Sequence, residues 1–406
     1  MMLDLDFVRA QFPAFHAPGL EGQAFFGNAG GSYACAPVID RLTRFYTQRK
    51  VQPYAPYAAS QAGGAEMDEA RTRLSAVLNV AADELSFGPS TTQNTYVLSQ
   101  AFAAMMQPGD VVIVTNQDHE ANTGPWRRLA ERGFEVREWR VDPETGQLHP
   151  ADLAHLLDGP VRLVCFPHCS NVVGDINDVR AICDLVHGAG AVACVDGVSY
   201  APHGLPDVGA LGADIYLFSA YKTYGPHQGI MTIRRDLGMA LPNQGHLFNG
   251  DTLYKRFTPA GPDHAQVAAC AGMVDYVEAL YAHHFDAPAD ARARGVAVHD
   301  LMRAHEVALL RPLLEYVAAR NTMRLIGPSD ATRRAPTVAI ALDDPGEAVA
   351  ARLAPHGIMA EGGDFYAGRP LSAMGVDPAK GVLRLSFVHY TTASEVDRLI
   401  TALDRM

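Results

Sequence analysis

Lysine is scarce in this chain of 406 residues: it occurs at Lys50, Lys222, Lys255 and Lys380 and nowhere else, within a basic set of 33. Acidic residues outnumber basic ones, and a formal net charge of −12 argues against a general nucleic-acid binder. No apolar run is long enough to cross a bilayer, so no membrane association is expected. The opening segment, MMLDLDFVRAQFPAF, lacks a basic stretch followed by an apolar one, which argues against a signal peptide. The six cysteines are Cys35, Cys165, Cys169, Cys183, Cys194 and Cys270. Most sit in or beside apolar runs, which fits reduced, buried thiols and a cytoplasmic location. Cys165, His168 and Cys169 lack a second ligand pair at similar spacing, so zinc is not expected. In GAGAVACVDG (188–197) the glycines precede a strand instead of joining a strand to a helix, which rejects a dinucleotide fingerprint. An acidic, soluble small-molecule enzyme remains, long enough for one large domain and a smaller one.

Apolar strand-like segments alternate with helix-like ones between residues 84 and 235. The strand candidates are 85–88, 111–115, 134–140, 161–166, 191–196, 215–219 and 229–234. Helices are expected at 92–106, 125–132 and 178–189. This order implies an α/β fold with a mostly parallel sheet covered on both faces. The last two strands are too close for a crossover helix, so one is expected to run antiparallel. From about residue 265 the pattern changes to a long helical stretch reaching about Leu314. Strands at 337–342, 357–362 and 382–388 follow, with helices near 347–353 and at 393–405. Thr391 or Thr392 is expected to cap the last helix, with Glu395 in its first turn. Three units follow: an N-terminal arm (1–24) packing on the small domain, a large domain (25–265) and a small α+β domain (266–406).

Ligands of open α/β sheets bind beyond the carboxyl ends of the strands. After the first strand comes PSTTQN, where free N–H groups at Thr91, Thr92 and Gln93 would make a phosphate cradle. His119 follows the second strand, His168 and Asn171 the fourth, and the fifth ends on Asp196. Ser219, Tyr221 and Lys222 follow the sixth. Each of these residues alone is ordinary; strand-end Asp and His commonly serve turns, and Lys commonly snorkels. Together they are what a pyridoxal 5'-phosphate site needs. The lysine makes a Schiff base, a carboxylate keeps the pyridine nitrogen protonated, a ring stacks on the cofactor, and hydroxyls and amides hold the phosphate. Burial beside other cations would lower the Lys222 pKa.

At these residues the chain resembles the class V aminotransferase family, fold-type I pyridoxal phosphate enzymes that include cysteine desulfurases. FFGNAGGSYACAPVID (25–40), QDHEANTGPW (117–126), HCSNVVGDIND (168–178), VDGVSYAPH (195–203), FSAYKTYGPHQGIM (218–231) and LRLSFVHYTTASEVDRLI (383–400) are similar to six family motifs in family order. The resemblance implies that Lys222 forms the Schiff base, Asp196 pairs with the pyridine nitrogen and His119 stacks on the ring. It implies that Thr92, Ser219 and Tyr221 hold the phosphate, with Ser199 standing where the family has a Gln beside the cofactor. Asn171 would lie near the cofactor oxygen or the substrate carboxylate, Arg384 would clamp that carboxylate, and the Ala29-Gly30-Gly31 turn would approach the substrate. A homodimer with active sites at the interface is also implied. The family threonine donated to the partner's phosphate falls near Gly261-Pro262, which has no hydroxyl, within the loop 259–266.

One departure bears on the reaction. Desulfurases carry a nucleophilic cysteine before the C-terminal strand, whereas this chain reads EGGDFYAGRPL (361–371), and no cysteine follows Cys270. A β-elimination lyase of the C–S type, which needs no protein nucleophile, is the expected activity. Aminotransfer, epimerisation and a non-catalytic binding protein on the same fold are the alternatives. Tyr221, Tyr224, His227, Asp364 and Tyr366 are further candidates for steering or acid catalysis.

Overall fold

Seven short apolar segments make one sheet in the computed structural model, which describes residues 2–406. They are β1 (Leu85–Gly88), β2 (Val111–Thr115), β3 (Glu135–Trp139), β4 (Val161–Pro167), β5 (Val192–Asp196), β6 (Ile215–Ser219) and β7 (Gly229–Ile233). Their spatial order is β1-β7-β6-β5-β4-β2-β3. β6, β5, β4, β2 and β3 run parallel, while β7 is antiparallel to both β6 and β1. The tight connection between β6 and β7 leaves no room for a crossover helix, which is why the sheet reverses there. β1, β2, β6 and β7 are buried along their whole length, as expected of strands covered on both faces.

A second sheet has the order β10-β11-β9-β8, built from β8 (Arg324–Leu325), β9 (Thr337–Ala341), β10 (Glu361–Gly363) and β11 (Val382–Ser386). The expected strand 357–362 is split in two. Ile358–Met359 pairs in parallel with Ala24–Phe25, and only residues 361–363 join β11. The chain therefore changes partners at Ala360, and β10 comes to face the cavity described below.

Helix boundaries differ from the sequence pattern where a cap decides. The segment expected to start at Pro125 begins at Glu120 and runs to Arg127, because His119 caps it: its Nδ1 accepts the Ala121 N–H at 3.0 Å. Pro125 is tolerated inside. The helical stretch after residue 265 is three helices, His264–Ala269, Ala271–His284 and Ala291–Ala318, and the last continues through Pro312. Its first half shares the large apolar core with the helices Ala36–Gln48 and Ala58–Leu78, and its second half shares the core of the small sheet. In the arm, Phe12 packs edge-on against Tyr276 and Tyr390, and Arg9 reaches Glu395 at 3.1 Å. Thr392 caps the final helix (Ala393–Leu403) in a capping box with Glu395.

Candidate active site

A cavity of about 890 Å³ opens at the carboxyl ends of the parallel strands, between the large sheet and β10–β11. The sheet supplies its floor. Asp196, the last residue of β5, is buried and receives one hydrogen bond, from the Val198 N–H at 2.8 Å. Burial pushes its carboxyl up to about 6. Near it lies fully buried Asp118, held by Thr115 Oγ1 at 3.0 Å and Asn122 Nδ2 at 3.2 Å. Burial, and then Asp196, push Asp118 up to about 8.

Lys222 ends a short 3-10 turn directly after β6 and points into the cavity with no ion pair among the described residues. Desolvation first, and the Arg384 cation second, pull its amine down to about 8. His119 lines the same floor. Burial, with Lys222 and Arg384 nearby, pulls its imidazole down to about 4, so the ring is neutral at neutral pH.

PSTTQN opens a helix at the cavity, but one of its three expected N–H groups is already taken. The helix Thr91–Met105 starts under the cavity, and Thr91 Oγ1 meets Ser219 Oγ at 2.8 Å. Thr91, Thr92 and Ser219 line the cavity. Gln93 does not, and its N–H is not free: the N-cap Ser90 Oγ accepts it at 3.1 Å. Gly229 packs so closely beneath this turn that a Cβ there would come within 2.7 Å of Thr91 N. Ser199 lines the cavity as well.

The small sheet supplies the facing wall. Arg384 on β11 is buried, and Glu361 on β10 is its cross-strand partner. Glu361 Oε2 lies 2.7 Å from Arg384 Nη2, and the guanidinium stacks on the Phe365 ring at 3.7 Å. The expected carboxylate clamp thus already holds a carboxylate from the chain itself. Asn171 donates from Nδ2 to the Phe365 carbonyl at 3.0 Å, and its Oδ1 is buried without a partner. Phe365 and Tyr366 both have left-handed backbone, φ 54° and 56°. The Glu120 N–H donates to the Tyr366 carbonyl at 2.9 Å, which pins this loop beside His119. Gly30 lines the cavity; Gly31 does not, and lies against the Tyr221 ring. Tyr221 stacks on His227 at 4.8 Å, with its ring on the cavity edge.

Sequence reasoning missed Glu361, Asp118 and Glu347, all of which line the cavity. Glu361 could be found only through its register opposite Arg384, which spans 23 residues of sequence.

These donors fit one kind of group. Asp196 is a buried carboxylate with a single donor, and Lys222 a desolvated amine with no partner. A helix N-terminus faces both across a cavity large enough for a ring and a phosphate. Such a fold and site define pyridoxal 5'-phosphate-dependent enzymes. The family profile described as Aminotransferase class-V matches residues 24–282 and 297–399, and the chain belongs to that family. The Aminotransferase-like protein FGM3 of Gibberella zeae is 35% identical, over 98% of this chain and 97% of its own. A cysteine desulfurase of Serratia proteamaculans is 30% identical, over 100% and 99%. The crystal structure of the cysteine desulfurase CsdA from Escherichia coli shares the fold with a TM-score of 0.82 at 24% identity, covering 100% of this chain and 98% of that one. The protein is a pyridoxal phosphate-dependent, cysteine desulfurase-like enzyme of this family.

Proposed function

We propose that the enzyme is a β-eliminating lyase that cleaves a C–S or related bond in a cysteine-like amino acid. The absence of a usable thiol at the site carries this reading. The wall segment 361–371 has no cysteine, and all six cysteines are buried. Cys169 lies at the cavity, but burial pushes its thiol up to about 12, so it is no nucleophile at neutral pH. Elimination needs only removal of the Cα proton and departure of a β substituent.

Bound pyridoxal phosphate would supply an electron sink for negative charge at the substrate Cα and an aldehyde for the Schiff base with Lys222. Lys222 Nζ, with its pKa of about 8, takes the Cα proton. Asp196, as a carboxylate, would keep the ring nitrogen protonated, and neutral His119 would lie against the ring. Thr91, Thr92, Ser219 and Tyr221 would take the phosphate. Arg384 binds the substrate carboxylate, with Asn171 beside it. Ser199 would border the cofactor.

Incubation of the holoenzyme with S-substituted cysteines should release pyruvate and thiol in equal amounts. Stoichiometric conversion to the pyridoxamine form without pyruvate would replace this reading with aminotransfer. Solvent deuterium at Cα with loss of optical activity, again without pyruvate, would replace it with epimerisation.

A homodimer with its active sites at the interface is part of the same proposal. Leu247 and Phe248, adjacent in the chain, are 94% and 83% exposed and would be covered by a partner subunit. The loop 259–266 would approach the partner's cofactor. Among the described residues no helix is long and apolar enough to cross a membrane, and a cytoplasmic location is proposed. Sedimentation of the holoenzyme as a monomer would remove the dimer.

A further inference from the structure

Arg384 meets the substrate with a partner already in place. Its side chain is 4% exposed, and Glu361, at 45%, takes one edge of the guanidinium while Nε stays buried and unpartnered. The Glu361 carboxylate also lies against the 27–31 turn: a Cβ on Gly30 would sit 3.0 Å from Oε1. A second carboxylate, Glu347, starts the helix Gly346–Leu353 on the same wall and has no ion pair among the described residues.

Counting charge then constrains the ligand. One guanidinium already balances Glu361. A substrate α-carboxylate that takes the guanidinium leaves the Glu361 charge without its partner, on the wall that also carries Glu347. The α-amine cannot compensate, because it is committed to the Lys222 side of the cavity, and the remaining lining cation, Arg128, lies over the Tyr96 ring. Two carboxylates without a cation on one wall favour a ligand that brings a cation of its own.

We propose that Glu361 is a specificity-determining residue that selects amino acids with a positively charged side chain. The substrate carboxylate displaces it from Arg384, and the freed Glu361 receives the side-chain cation. Glu347 extends the same selection towards the cavity mouth. This inference rests on the amino-acid reading above, but not on which bond is cleaved.

The test uses S-(2-aminoethyl)-L-cysteine and S-propyl-L-cysteine, which match in length and differ in a terminal ammonium against a methyl. Binding of each to the holoenzyme is followed through the cofactor's absorption, and pyruvate is measured in the same mixtures. The charged probe should bind tighter by about tenfold or more, the scale of one partly buried ion pair. Glu361→Gln should reduce the preference to about twofold and make the neutral probe bind tighter than it does to wild type, because the internal competitor is gone. Glu361→Asp should keep part of the preference, and Glu347→Gln should lower it less than Glu361→Gln. Equal binding of the two probes to wild type, a preference unchanged in Glu361→Gln, or no response to either probe overturns the inference. Binding with the expected preference but without pyruvate leaves it standing and removes the lyase.

Discussion

The two sides of the cavity are built differently. The floor comes from strand ends and turns of one buried sheet, and its one cation, Lys222, has no ion pair among the described residues. The wall comes from two strands and a loop of the small sheet, and its guanidinium is already matched by a carboxylate. A desolvated charge held without an ion pair is poised for a ligand that the fold expects every time, which is a cofactor. Groups paired with one another must exchange partners when the ligand arrives, and exchange is where selection acts. On the proposed reading, the floor would hold the cofactor and the wall would select the substrate.

The largest effect belongs to the floor. Lys222→Ala should lower turnover by about 10³-fold or more if Lys222 moves the Cα proton as proposed. It should also abolish the visible imine band on addition of cofactor. Glu361→Gln, on the wall, should leave that band in place. Lys222→Ala keeping its band, or Glu361→Gln losing it, would break the contrast.

Asp196→Asn sharpens it through pH. The Asp196 carboxyl rises from the ordinary 3.8 to about 6 on folding because burial penalises its charge. Between those values the folded apoprotein binds more protons than the unfolded chain, so stability falls as pH rises through that window. Above pH 6 the buried charge costs up to about 3 kcal/mol, since each tenfold change in proton affinity is worth about 1.4 kcal/mol. Asp196→Asn should therefore stabilise the apoprotein above pH 6 and leave it unchanged near pH 3. In the holoenzyme the sign should reverse, because the variant loses the partner of the ring nitrogen. Thermal unfolding of both forms between pH 3 and 8 checks this; destabilisation of the apoprotein at pH 8 would contradict it.

Much of the floor was legible in the sequence because strand ends are local. An apolar run followed by Asp196, or by Ser219-Ala220-Tyr221-Lys222, places those residues without any knowledge of pairing. The close spacing of 215–219 and 229–234 likewise marked the antiparallel turn. The wall was not legible, because its content is register. Arg384 was identified, but its pairing with Glu361 depends on which strand lies beside β11. The split of 357–362 between two sheets hid that. Phe365 and Tyr366 adopt left-handed backbone at residues that disfavour it, so no turn signal marked the loop. Pro125 misplaced one helix start for a related reason: proline favours a first turn, but the His119 side chain had already opened the helix more than one turn earlier.

The smallest effect tests the cradle itself. Ser90 uses its hydroxyl to accept the Gln93 N–H, one of the donors expected to be free for phosphate. A capping serine replaced by alanine ordinarily costs about 1 kcal/mol. In the apoprotein Ser90→Ala should show that loss in full, because Gln93 N–H is left without an acceptor at the helix start. In the holoenzyme a phosphate in the cradle can accept the released N–H, so the loss should shrink to roughly a few tenths of a kcal/mol. Comparing the denaturation midpoints of wild type and variant, with and without cofactor, separates the cases. Equal losses in both forms would mean that the phosphate sits beyond reach of Gln93 and is held by Thr91, Thr92, Ser219 and Tyr221 alone. A recovery confined to the holoenzyme would place the phosphate directly on the helix axis, where the macrodipole favours it most.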